Sequence, residues 1–405
     1  MRIALDLTST PKSKTGIGRY MLGLIKGLQE VDSENEYYLF AQDDDLSGFG
    51  VYKDNFHMVP CNHKVLRKQW VRIIWEQVVF PWRLKKAKAD VLLCPNYSMP
   101  YPVRLVHHKM AVVNAFHDMA YFMFPELYIG WKREIFKWYI KRSARSTDKI
   151  ITISENSRED IPKFCKPKNT DITVTYMGVK EAFFEGKPAN DEILNKYRIT
   201  GEYIYYVGTL EPRKNVKGLI EGYKLLPKET RDKYKLVITG KKGWFYDEMF
   251  CMVNRDPDLN ENVIFTGFVD DQDMIPLLKR ASAFAYVSLY EGFGIPVAEA
   301  MAAGVPCVTS DRSSMKEIAE GYGFLADPEK PESICSKLQE ALHAHEAAGE
   351  NNSVNTEDIG VINIEAQAAI NRIKSAQEHA RKFTWRACAE GTIKSFGEAC
   401  DRRTS

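Results

Sequence analysis

Short, continuously apolar segments alternate with stretches of helical spacing along most of this 405-residue chain, and that rhythm limits the possible folds more than any other feature. In the first half the strand-like segments are 2–7 (RIALDL), 37–41 (YYLFA), 90–94 (DVLLC), 111–116 (AVVNAF), 149–153 (KIITI) and 172–176 (ITVTY). In the second half they are 203–208 (YIYYVG), 235–239 (KLVIT), 262–266 (NVIFT), 283–288 (AFAYVS), 305–309 (VPCVT) and 323–326 (GFLA). Helical spacing lies between several of them, as over 18–30 and 130–145. A strand that is apolar on both faces must be covered on both faces, and intervening helices supply the cover, so the pattern predicts parallel sheets. The chain is too long for a single hydrophobic core. Two sets of strands therefore predict two Rossmann-like, doubly wound α/β domains, one over 1–180 and one over 201–378, joined by a polar linker over 181–200. Residues 343–365 break the rhythm and read as a mobile surface insertion. Helical spacing returns in the last segment, 379–405.

Composition narrows the class further. No run reaches the 18 or so apolar residues that a membrane-spanning helix needs. The apolar run in MRIALDLTSTPK is too short for a signal peptide and reads as a first strand. Eight cysteines are scattered with no CxxC pair, so reduced thiols and no metal site are expected. The net charge is only +2, yet residues 61–150 carry 17 Lys and Arg against 6 Asp and Glu. Such asymmetry predicts a basic face.

Two segments combine strand ends with polar side chains. In YIYYVGTLEPRKNVKGLIEGYKLL (203–226) a buried strand ends at Gly208, Asn215 is a candidate helix cap, and Arg213 and Lys214 stand just before it. A helix N-terminus with two adjacent cations suits a diphosphate, with Arg capable of a bidentate grip. The plain alternative is a pair of solvated loop cations. The carboxyl end of a strand favours the ligand site, because open α/β sheets bind ligands there. In SLYEGFGIPVAEAMAAGVP (288–306), Glu291 follows a strand, Gly292 and Gly294 allow close backbone approach, and Pro296 suits a helix start. Glu299 is expected in the first turn of a short helix over 296–303. Both carboxylates can accept hydrogen bonds from sugar hydroxyls. The alternative for each is a helix-terminus glutamate that stabilises the dipole.

The segment EGFGIPVAEAMAAGVPCV resembles the E-x7-E motif of family 4 glycosyltransferases. The resemblance extends to TGIGRYMLGLIKGL, HDMAYFMFPELY, KIITISENSREDI, YVGTLEPRKN and NVIFTGFVDDQDMIPLLKRASAFAYVSLYEGFG, and so spans nearly the whole chain outside 343–365. It implies the GT-B architecture, two Rossmann-like domains facing across a cleft, with the last helix crossing back to the first domain. It also implies roles. Arg213 and Lys214 hold the donor diphosphate and stabilise the charge on the leaving group. Glu299 binds the ribose hydroxyls. Glu291, with the amides of Gly292, Phe293, Gly294 and Ile295, holds the donor sugar. Phe268 and Val269 lie near the base, Gly16 and Gly18 near the phosphates, and His117 near the sugar being transferred, with Asp118 beside it. A nucleotide-diphosphate sugar is then the donor substrate and no cofactor is needed. The context around HDMAYFMFPELY and ITISENSREDI is most similar to bacterial O-antigen and exopolysaccharide enzymes, mannosyltransferases among them. GDP-mannose is the first expectation for the donor, and a UDP-sugar is the alternative. A non-catalytic sugar-nucleotide-binding protein is a further one.

Other readings fare less well. TGIGRYMLG lacks the third glycine spacing of a dinucleotide fingerprint. The acids at 43–45 and in DDQD (270–273) resemble DxD metal motifs but read as solvated or cap residues, so no metal is expected. His117 alone could equally be a satisfied core histidine. The basic region 63–145 mixes cations with Trp70, Trp75, Trp82, Trp131 and Trp138. That mixture suits the surface of an anionic membrane, although helices packing Trp inward would leave the same pattern. Nucleic acid is not expected, since no recognition module accompanies the patch. The expected location is the cytoplasm, peripheral on the inner face of the plasma membrane, with a glycan or lipid-linked glycan as acceptor.

Overall fold

The computed structural model describes residues 1–10, 16–127, 130–168, 171–241, 243, 246–353 and 364–404. Two compact units form, Met1–Gly178 with Thr384–Ser405, and Val179–Phe383. The first unit holds β1 (Arg2–Asp6), β2 (Glu36–Gln42), β3 (Phe56–Cys61), β4 (Val91–Cys94), β5 (Ala111–Phe116), β6 (Lys149–Thr152) and β7 (Ile172–Val174). They pair in parallel in the order β3-β2-β1-β4-β5-β6-β7. Ile3 sits opposite Tyr37 on one side and Val91 on the other. The second unit holds β8 (Glu202–Val207), β9 (Tyr234–Thr239), β10 (Val263–Gly267), β11 (Ala283–Tyr286), β12 (Cys307–Ser310) and β13 (Phe324–Ala326). Their order is β10-β9-β8-β11-β12-β13, again parallel throughout. Every expected strand is present, and the central ones are buried on both faces as the apolar runs require.

Strand order reverses between β1 and β4 in one sheet and between β8 and β11 in the other. At such a switch point the loops leaving the two strands part in opposite directions and open a crevice at the carboxyl edge.

The first unit is closed by the helix Trp385–Thr404, which packs on the helix Ile17–Val31. Three glycines make room for one residue, Trp385: a Cβ on Gly23 would lie 2.0 Å from its indole Cε2, one on Gly27 2.2 Å from its backbone O, and one on Gly178 2.3 Å from its backbone N. Behind that helix the ammonium of Lys149 is buried between Asp171 at 2.7 Å and Glu398 at 2.6 Å.

Three boundaries differ from the sequence reading. Residues 181–200, read as a polar linker between the domains, belong to the second unit, which begins at Val179, and hold the helices Ala182–Glu185 and Asp191–Lys196. Asn190 caps the second of these by accepting from Ile193 N at 3.1 Å. The closing helix starts at Trp385 rather than 379, because the helix Ile364–Ala380 runs through that point. Within 343–365, residues 343–353 continue the helix Pro331–Ser353, with Ala344 and Ala347 buried, and residues 354–363 lie outside the described residues. No helix among the described residues is long and apolar enough to cross a membrane.

Candidate functional site

In the second unit three of the sequence-predicted residues, Arg213, Lys214 and Glu291, come together at the switch point. Past β8 the chain makes a tight turn, Pro212–Lys214, then enters the helix Val216–Lys224 through Asn215 at φ 53°. The sequence reading of Asn215 as a side-chain cap of that helix is not met, since its side chain makes no capping hydrogen bond. Its amide instead donates to Val287 O at 3.1 Å and to Pro328 O at 2.6 Å, tying the loop after β8 to the loops after β11 and β13. Leu289 N donates to Arg213 O at 2.9 Å and strengthens the same seam.

The loop after β11 carries Glu291, which is 7% exposed. Two serines that sequence reasoning missed hold its backbone. Ser313 Oγ and Ser314 Oγ donate to Glu291 O at 2.8 and 2.9 Å, and Glu291 N donates to Ser313 Oγ at 3.2 Å. The available signal was their place in SDRSSMKE, directly after the strand 305–309 at the carboxyl edge of the sheet.

Glu291 joins the two cations. Its Oε1 lies 2.5 Å from Lys214 Nζ and its Oε2 3.1 Å from Arg213 Nη1. Tyr286 Oη donates to Oε1 at 3.0 Å and accepts from Lys214 Nζ at 2.8 Å. Arg213 also pairs with Glu211 at 2.9 Å and donates to Tyr290 O at 2.8 Å. Burial works against the charged form of Glu291, but Arg213 and Lys214 outweigh it and hold the carboxyl at about 2. Burial likewise pulls the pKa of Lys214 down, with Glu291 opposing. The cations are therefore neither solvated nor unpaired. They are held in place by Glu291 where water is largely removed, and there the attraction of a cation for an anion is strengthened.

The remaining predicted residues of this unit lie after β11 and after β10, and no described hydrogen bond or ion pair joins Phe268 or Val269 to the network. Gly294 adopts φ 84° as the residue before the helix Ile295–Ala302, a conformation that favours glycine. That helix starts one residue earlier than expected, so no acid lies in its first turn and the dipole reading of Glu299 loses its basis. Glu299 is nonetheless buried. The ring of Phe293 is core, edge-on to Phe383 at 5.4 Å, which leaves only its backbone for a ligand. After β10, Phe268 is exposed with Lys241 Nζ 5.2 Å from its ring centre, and Val269 is buried.

In the first unit Gly16 precedes the helix Ile17–Val31 at φ 53°, and Gly18 is buried within it. Tyr20, on the same helix, meets the His117 ring edge-on at 4.7 Å. His117 follows β5, and its Nε2 lies 2.8 Å from Pro95 O, just past β4. Burial lowers its pKa, so the ring is neutral at pH 7. Tyr97 Oη donates to Asp118 Oδ1 at 3.3 Å, and that carboxylate also accepts from Ala120 N, a turn-closing role.

The DxD-like acids are engaged. Lys196 Nζ bridges Asp270 at 2.7 Å and Asp273 at 2.6 Å. Asp43 meets His63 Nδ1 at 2.6 Å, and Asp44 pairs with Arg67; Asp43, Asp44 and His63 are close enough to ligate one cation.

Residues 14–183 match the family described as Glycosyltransferase Family 4, and residues 190–369 match Glycosyl transferases group 1. The chain is 32% identical over 339 residues to O-antigen chain mannosyltransferase B of Escherichia coli, spanning 81% of this chain and 87% of that one. It is 25% identical over 349 residues to O-antigen chain mannosyltransferase RfbU of Salmonella typhimurium, spanning 83% and 89%. Among solved structures it is similar in fold to Alr3699/HepE of Anabaena in complex with UDP and glucose, with a TM-score of 0.70 over 98% of this chain and 99% of that one, at 14% identity.

Proposed function

The chain belongs to glycosyltransferase family 4 with the GT-B fold, and on that premise we propose that it moves mannose from GDP-mannose to a hydroxyl of a growing O-antigen-type glycan, with retention of anomeric configuration. The observation that carries the site assignment is the Arg213–Glu291–Lys214 network at the β8/β11 switch point. Arg213 and Lys214 bind the donor diphosphate, sharing their charge between it and Glu291. Glu291 and the amides of Gly292 to Ile295 bind the sugar hydroxyls. Glu299 binds the ribose, and Phe268 and Val269 flank the base. From the first unit, Gly16, Gly18 and His117 are assigned to substrate recognition. His117 is neutral and can accept or donate one hydrogen bond without imposing charge.

The bond between the anomeric carbon and the diphosphate oxygen breaks, and its electron pair leaves with the nucleoside diphosphate. The acceptor oxygen bonds to the anomeric carbon on the same face, and its proton passes to the departing phosphate oxygen. Preorganised cations at the leaving group supply the main rate term; one such contact is worth about 10²–10³ in turnover. No metal ion is needed, because Arg213 and Lys214 already supply the positive charge. The acceptor is a lipid-linked glycan, and the protein works in the cytoplasm at the membrane surface.

A UDP-sugar donor is the second reading, kept by the UDP in the Anabaena protein of like fold. Thermal unfolding with each nucleotide separates the two, since a ligand at a hundredfold its Kd stabilises by about 2.7 kcal/mol. The proposal expects GDP to raise the midpoint more than UDP, and Lys214→Ala to abolish the rise. A larger rise with UDP assigns the second reading.

A further inference from the structure

Two helices of the first unit turn large apolar side chains outward. On the helix Gly130–Ser146, Trp131, Ile135, Trp138, Arg142 and Arg145 recur at alternating steps of four and three, which places them on one stripe, and all five are exposed. On the helix Gln69–Val78, Trp70, Ile74 and Val78 recur every four residues and are 48%, 63% and 60% exposed. Trp70 and Trp131 stack with ring centres 6.3 Å apart and 13° between planes, so the two stripes join into one surface. These indoles are not core. Trp75, between Trp70 and Val78, does turn inward and stacks on Phe80 at 5.2 Å.

The apolar stripe runs into a basic end. Trp138, Lys141, Arg142, Arg145 and Lys168 line an open depression of about 370 Å³, with no carboxylate among its described lining residues. Arg142 is held there over two rings, 4.8 Å from the centre of Tyr101 and 5.4 Å from that of Trp138. Arg145 Nε donates to Cys165 O at 3.2 Å.

A continuous exposed patch of this kind marks an interaction surface. Charge complementarity selects the occupant. Residues 61–150 hold 17 cationic side chains against 6 acidic ones, so a second copy of the chain would set like charge against like. Nucleic acid would satisfy the cations and leave Ile74, Val78 and Ile135 against water. An anionic bilayer satisfies both ends, with tryptophan at the headgroup level and cations on the phosphates.

We propose that this face of the first unit docks on an anionic lipid bilayer, with Trp70, Ile74, Trp131, Ile135 and Trp138 at the headgroup–acyl boundary and the basic depression on lipid phosphates. The proposal locates the membrane-surface role suggested above on particular residues. It is tested without donor or acceptor, so its failure is separate from failure of the transfer reading.

The full chain is sedimented with vesicles of phosphatidylglycerol and phosphatidylethanolamine, and separately with phosphatidylcholine vesicles. Expected is binding to the anionic vesicles alone, weakened by salt as the screening length falls from about 10 Å at 0.1 M to about 3 Å at 1 M. Arg142→Gln with Lys168→Gln should weaken partitioning about 25-fold, from about fivefold per cation removed. Trp70→Ser with Trp131→Ser, and separately Ile135→Glu, should lose both binding and the blue shift of tryptophan emission that accompanies it. The substituted side chains are exposed, so each variant should keep the wild-type unfolding midpoint. Absence of sedimentation at low salt, equal binding to both vesicle types, or wild-type binding by any of the three variants overturns the proposal. So does a concentration-dependent dimer that Trp70→Ser with Trp131→Ser abolishes, which would assign the face to a second copy.

Discussion

Replacing Glu291 by Gln keeps the shape of the side chain and removes the charge that joins Arg213 to Lys214. The carboxyl sits at about 2 in the fold against 4.5 in the unfolded chain. At about 1.4 kcal/mol per tenfold, that difference makes the charged form worth about 3 kcal/mol of stability at pH 7. Breaking a buried pair from one side costs a similar amount, about 3–5 kcal/mol, because the partners stay buried without their counter-charge. The loss translates into a midpoint lower by about 6–12 °C for a unit of this size. The sign of the pH dependence follows from the depressed pKa. The contribution is fully present above 4.5 and is lost as pH falls toward 2. The gap between wild type and Glu291→Gln should therefore shrink by about 1 kcal/mol between pH 7 and pH 4. Urea unfolding followed by circular dichroism at the two pH values measures it. A Glu291→Gln variant within 2 °C or so of wild type at pH 7 would refute the reasoning, as would a gap that does not change with pH.

Three further outcomes follow from the packing. His117 is kept neutral by burial, so wild-type stability should fall as pH drops below 6.5, where the unfolded chain takes up a proton the fold disfavours; in His117→Gln, followed by thermal unfolding across pH 5–8, the fall should flatten. Asn215→Ala should cost about 2–4 kcal/mol in urea unfolding, since two carbonyls, Val287 O and Pro328 O, lose their donor. Gly23→Ala forces a methyl to within 2.0 Å of Trp385 and should cost at least about 1–3 kcal/mol; Trp385→Ala in the same chain should recover part of that, as non-additive neighbours do.

The central strands were legible because burial on both faces writes a continuous apolar run. β3 was not, because it is an edge strand with His57 and Pro60 in it, and an edge tolerates the polar residue and the missing donor. The helix through 343–353 was hidden by its polar composition, HAHEAAGENNS; its alanines pack inward and tertiary contact sustains it. The residues of the Arg213–Glu291–Lys214 network were each visible as motif members, but their mutual pairing was not. They lie 77 and 78 positions apart, and only the adjacency of β8 and β11 brings them together. Asn215 was misread for the same reason, since its side chain serves distant carbonyls instead of the next turn. The serines at 313 and 314 looked like ordinary loop residues, because what they hold is backbone. Sequence could not decide whether the tryptophans of 63–145 face in or out. The periodicity is identical in both cases, and the stack of Trp70 on exposed Trp131 settles that pair.

The most direct test of the central claim is nucleotide release measured on wild type and Lys214→Ala with GDP-mannose and a mixture of lipid-linked glycan acceptors. The account predicts GDP release that depends on the acceptor, exceeds release from UDP-sugars, and falls about 10²–10³-fold in the variant. Release that is indifferent to the acceptor, or equal in wild type and Lys214→Ala, would contradict it.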